Sequence, residues 1–109
     1  MIVDIHTHPP RHRELPPRVE PEFNGMWRPD RPVKVTTCWD DYLEGQKPAA
    51  RSVVFGIAVS PSGERRPGDP DWSEGNINDA VAEFVAAYPE RLIGFCAVHP
   101  FDPHCMEEL

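Results

Sequence analysis

Ile2-Val3-Asp4-Ile5-His6-Thr7-His8 reads as a β-strand that Pro9 and Pro10 must stop, because proline offers the ladder no N–H. Side chains alternate across a strand, so His6 and His8 project from one face, at the end where the strand stops. Asp4 is expected on that same face one step deeper, with Val3, Ile5 and Thr7 turned the other way toward covering helices. Ser52 to Val59 and Leu92 to Val98 are apolar almost without interruption, the pattern of strands buried on both faces. Between them Ile77, Ala80, Val81, Phe84, Val85 and Tyr88 fall on one helical stripe, with Asn76 as N-cap and Pro89 ending the helix at Tyr88.

Working outward, Trp39 to Glu44 reads as a short helix closed by Gly45, with Asp40 and Asp41 in its first turn, where the helix dipole favours them. Pro61 to Gly75 reads as a loop, and Asp102-Pro103 as the N-cap and first residue of a further helix. The element order is βαβαβ, whose strands should be parallel with right-handed crossovers. A doubly wound sheet and the opening of a (β/α)8 barrel both fit. The first βα turn has no glycine-rich phosphate cradle, which removes the main support for a nucleotide-binding sheet.

The 109 residues make one domain, or part of a larger one. Residues 9–37 are its long first βα loop, holding seven of the fourteen prolines and five arginines. The net charge of −7 argues against a nucleic-acid or anionic-membrane surface, which needs a basic stripe. Its distribution is uneven: residues 1–35 carry a net +1 and residues 36–109 a net −8, so anion binding belongs near the N-terminus. No apolar run approaches the roughly 20 residues of a membrane helix, and Met1 leads straight into the first strand with no secretory leader. Cys38, Cys96 and Cys105 contain no CxxC pair, so reduced thiols in the cytoplasm are expected.

The end of a parallel strand is where α/β folds build their sites, and two imidazoles there can converge on one metal ion. Asp4 would orient a histidine from behind. Arg11, Arg13, Arg18, Arg28 and Arg31 crowd the loop beside Phe23 and Trp27. Arg28 and Arg31 are candidates to grip a carboxylate and Trp27 to stack on a planar substrate. His99 ends the third strand, where it would be a hydrogen-bonded strand-end residue or touch substrate. Cys96, His99, His104 and Cys105 lack the CxxC turn of a zinc knuckle, and Cys96 is expected inside a buried strand. His12 is expected in solvent, and Lys47 in an exposed turn before Pro48.

Three stretches resemble the amidohydrolase superfamily, in its aminocarboxymuconate semialdehyde decarboxylase-like branch: Ile2-Val-Asp-Ile-His-Thr-His-Pro9, Arg51-Ser-Val-Val-Phe-Gly56, and Ala82-Glu-Phe-Val-Ala-Ala-Tyr-Pro-Glu-Arg-Leu-Ile-Gly-Phe95. The resemblance implies an α/β fold, the N-terminal βαβαβ portion of a metal-dependent TIM barrel, incomplete in this chain. It implies a divalent metal, zinc first, with His6 and His8 as the first two ligands. The family's remaining ligands and acid/base groups would lie beyond Leu109, so no catalytic residue is assigned within this chain. The implied reaction is hydrolysis or decarboxylation of a small carboxylated or cyclic substrate. A phosphoesterase or DNase of the same barrel type is the alternative enzyme. A different alternative makes the loop a polyproline ligand through Arg28-Pro-Asp-Arg-Pro32. Apolar strands with one long covering helix leave a sheet face and an edge uncovered, so association, including homo-oligomers, is expected.

Overall fold

The computed structural model describes residues 1–10, 12–15, 36, 38–58 and 77–109. They fall into two compact units, Pro10–Lys47 and the combination of Met1–Pro9 with Pro48–Leu109. The smaller unit carries α1 (Trp39–Gly45), whose Trp39 and Tyr42 are buried. Asp40 and Asp41 occupy its first turn, where negative charge meets the exposed N–H groups. Cys38 precedes the helix and bridges to His12 in a short parallel pairing, so His12 is half-buried rather than in solvent. The Arg13 guanidinium lies 5.0 Å from the centre of the Trp39 ring, a cation–π contact. Lys47 sits in the turn after α1, exposed and paired with Glu44 at 2.6 Å.

The larger unit is a mixed α/β arrangement. Its three strands β1 (Val3–Thr7), β2 (Arg51–Phe55) and β3 (Leu92–Phe95) form one sheet in the order β1-β2-β3, every pair parallel. The helices are α2 (Ile77–Ala87) and α3 (Cys105–Glu108). On α2 the apolar stripe is turned inward, with Ile77, Val81 and Phe84 buried, while Asp79, Ala82, Glu83, Ala86 and Ala87 are exposed. A Cβ built on Gly94 would lie 3.2 Å from Val85 Cγ2 and 3.4 Å from Val81 Cγ1. Gly94 therefore faces α2 at close range, and its register partner Val54 shares that face. Val54, Ser52 and Phe84 are the largest side chains sealed from solvent, and they mark the centre of the core.

Both later strands are shorter than their apolar sequence predicts. β2 stops at Phe55 instead of running toward Val59, a residue outside those described. The cause is at Gly56, where any Cβ would collide with Ile77 Cγ1. The chain leaves the sheet there because the start of α2 is packed directly against it. Gly56→Ala should therefore act as overpacking and cost about 1–3 kcal/mol, read as a lower midpoint in urea; an unchanged midpoint would mean that Ile77 moves aside freely.

β3 likewise ends at Phe95 and not at Val98. Beyond it the backbone is taken over by a side chain: the Ala97 N–H donates to Asn78 Oδ1 at 2.9 Å, and Asn78 Nδ2 donates to the Ala97 carbonyl at 3.1 Å. Asn78 thus replaces a strand partner with an amide on α2. Burial on both faces does not hold for β3, since Gly94 and Phe95 are exposed. Cys96, expected inside a buried strand, lies past the strand end and is exposed, its thiol 3.6 Å from the Glu108 carbonyl. The last helix starts at Cys105, later than Asp102-Pro103 suggests, although Asp102 Oδ1 does accept the His104 N–H at 2.9 Å. The predicted cap at Asn76 and the loop from Pro61 to Gly75 lie outside the described residues.

Candidate functional site

β1 does not run in even step with β2. Val3 pairs with Arg51 and Asp4 with Ser52, but the next partners are Thr7 and Val54, so the register shifts between Asp4 and Thr7. Three steps along β1 match two along β2, which is the count of a β-bulge. Unbroken alternation would place Asp4 with His6 and His8. Instead Asp4 and Thr7 both share the face of Ser52 and Val54, and the two histidines emerge on the opposite face with Phe55. Thr7 is buried, and its hydroxyl donates to the Val53 carbonyl at 2.6 Å. The small hydroxyl is buried with a partner, and the bulkier imidazoles stay out.

At the strand ends three rings meet. The His6 and His8 ring centres are 5.3 Å apart, and Phe55 lies 4.9 Å from His6 and 5.0 Å from His8. His8 Nδ1 is 2.9 Å from the Phe55 carbonyl oxygen. A carbonyl only accepts, so Nδ1 is the donor in this contact and Nε2 is the nitrogen left for a ligand. A backbone carbonyl on the far nitrogen is a common support of a metal-binding histidine. Two imidazoles on one tetrahedral zinc, with Zn–N of about 2.0–2.1 Å, have ring centres roughly 5–5.5 Å apart, and this pair falls in that interval. The donor chemistry and the spacing both suit a divalent ion. The same tilted and edge-to-face rings also satisfy aromatic packing on their own.

Asp4 supports His6 in a way that strand period does not anticipate. Its Oδ1 accepts the His6 backbone N–H at 3.2 Å, which holds the chain where the register shifts. His99 is half-exposed in the turn after β3. Its Nδ1 accepts the Phe101 N–H at 3.3 Å, and its ring stands 5.8 Å from that of Phe101. His104 Nδ1 pairs with Glu107 Oε2 at 3.0 Å on the surface. Arg28, Arg31 and Trp27 lie outside the described residues. Comparison with protein-family models, with curated proteins and with solved structures finds no match.

Among the described residues no group of three or more His, Cys, Asp or Glu side chains is placed to hold a metal ion, so the donor set they offer is the imidazole pair. Among them too, no helix is long and apolar enough to cross a membrane. Sequence reasoning missed Phe55, whose carbonyl sets the His8 tautomer. Nothing in an apolar strand residue advertises a backbone acceptor; only its position as the last residue of β2, level with the end of β1, does so.

Proposed function

We propose that His6 and His8 are two ligands of a divalent-metal site, zinc first, in a metal-dependent hydrolase or decarboxylase of the amidohydrolase type. The sheet is then the opening of a (β/α)8 barrel, and its sequential order β1-β2-β3 is compatible with such a barrel. The observation that carries the reading is the imidazole pair at the strand ends, with the Phe55 carbonyl on His8 Nδ1. In this reading His6 and His8 hold the ion, the Phe55 carbonyl orients the His8 ring through Nδ1, and Asp4 fixes the backbone under His6. The remaining ligands belong to strands that follow these in a barrel. The chemistry a divalent ion supplies in such a site is polarisation of a substrate carboxylate or carbonyl and activation of water near neutral pH.

The substrate in this reading is a small molecule bearing a carboxylate, with Arg28, Arg31, Trp27 and His99 as the candidates to bind it. The protein is cytoplasmic and keeps its three thiols reduced. The test is a zinc titration of the purified protein followed by NMR of the imidazole signals. About one equivalent should bind at saturation and shift both rings, and the double variant His6→Ala/His8→Ala should lose that binding while its helical signal is preserved. Unchanged zinc in the double variant overturns the reading; two equivalents lost together would transfer it to a phosphoesterase of the same barrel type.

A further inference from the structure

Two of the three free cysteines meet at one short helix, and neither takes part in the metal reading. Cys96 directly follows β3 and is exposed, while Cys105 opens α3 and is half-buried. The Cys96 thiol donates to the Glu108 carbonyl at 3.6 Å. That carbonyl lies in the last turn of α3, where backbone oxygens have no partner within the helix. Cys105 and Glu108 are three residues apart on α3, hence neighbours along one side of a single turn. The Cys96 sulfur thus already touches the turn whose first residue is the second thiol.

This turn is held at the surface. α3 has no buried residue, and the bond that Asn78 Nδ2 donates to Glu108 Oε2, 3.2 Å long, is exposed. A hydrogen bond contributes only about 0.5–1.5 kcal/mol net, and shifting α3 uncovers no core. The turn is therefore free to bring its thiol within the roughly 4.4–6.8 Å between Cα atoms that a disulfide spans. Cys38 differs in both respects, being buried and part of the other compact unit.

We infer that Cys96 and Cys105 form a reversible, peroxide-responsive disulfide, Cys96 being the thiol oxidised first and Cys105 the one that resolves it. The Cys96 thiolate attacks one oxygen of hydrogen peroxide: an S–O bond forms, the O–O bond breaks, and the departing hydroxide takes up the proton the thiol gave, leaving as water. The Cys105 thiolate then attacks the sulfenic sulfur. The S–S bond forms, the S–O bond breaks, and the second oxygen leaves as water with the proton from Cys105. Two thiols supply the two electrons that reduce the peroxide. An accessible thiol beside a resolving cysteine is the arrangement of a redox sensor, and in a reducing compartment such a disulfide is transient. The ring it closes includes His99, so oxidation restrains the segment that follows β3.

The test adds hydrogen peroxide to the reduced full chain and follows intact mass, peptide maps without reductant, and NMR of the Asn78 side-chain amide. A Cys96–Cys105 crosslink should form within each molecule with the loss of two hydrogens, and dithiothreitol should restore both thiols. Cys38 should remain a thiol throughout. The Asn78 amide signals should shift on oxidation and return on reduction, because α3 moves against its Glu108 contact. In Cys105→Ser the same treatment should leave a Cys96 sulfenic acid that dimedone captures, and in Cys96→Ser it should leave Cys105 a thiol. A crosslink between molecules, a disulfide of Cys38, or Cys96 carried to the sulfinic acid while Cys105 stays a thiol would each overturn the inference. So would thiols that all survive peroxide, or equal dimedone capture in the parent and in Cys105→Ser, since Cys105 would then resolve nothing.

Discussion

Zinc affinity should fall by roughly 100-fold or more when either His6 or His8 is replaced singly by alanine. Four-ligand zinc sites bind with about 10–16 kcal/mol, or about 3 kcal/mol for each ligand, and 1.4 kcal/mol is a factor of ten. The effect should be confined to metal binding, because both side chains are exposed and neither fills the core. In His8→Ala the Phe55 carbonyl loses its imidazole partner, but at an exposed strand end water replaces it at little cost. Competition titration against a chromophoric chelator, with thermal unfolding of the same samples, checks both halves. An affinity within about threefold of the parent in either variant would remove that residue from the ligand set.

The second large effect is on stability. Phe84→Ala should cost about 3–5 kcal/mol, the usual range for emptying a buried aromatic site. Phe84 is sealed from solvent in the middle of the face that α2 turns to the sheet, and its ring meets Tyr88 edge-on at 5.9 Å. Small domains hold only about 5–15 kcal/mol in total, so the variant should lose much of its cooperative urea transition. Ala82→Gln, two residues earlier on the exposed face of the same helix, should shift stability by no more than about 0.5 kcal/mol. Similar losses in the two variants would mean that α2 packs in another rotation.

Elements with a strong period were legible before any coordinates. The stripe from Ile77 to Tyr88 is the buried face of α2, and the three strands pair in parallel as the βαβαβ order requires. Strand ends were not legible. Apolar residues continue past Phe55 and Phe95, and hydrophobicity does not say where pairing stops. Here it stops because Gly56 lies against Ile77 and because Asn78 takes the Ala97 backbone. Asn78 sits two residues after Asn76, the obvious capping candidate, so the sequence gives no reason to prefer it as a clamp on β3. The imidazole pair was readable from the His-Thr-His spacing alone, whereas its aromatic neighbours were not. Phe55 reaches the histidines through register, which is a property of paired strands together.

The shifted register of β1 has a consequence for how this strand tolerates change. Paired without a shift, His6 would stand opposite Val54, on its buried side of the sheet, and Thr7 would be turned out. The bulge absorbs one residue between Asp4 and Thr7 and so keeps the imidazoles on the accessible side. The face of the histidines is thus set by counting residues and not by which residues are counted. Ile5, exposed within that stretch, is expendable in this sense: its deletion would leave one residue per partner and keep His6 and His8 where they are. Inserting a residue before His6 would have the opposite result, carrying both rings to the buried side of the sheet, although every side chain of the motif would still be present.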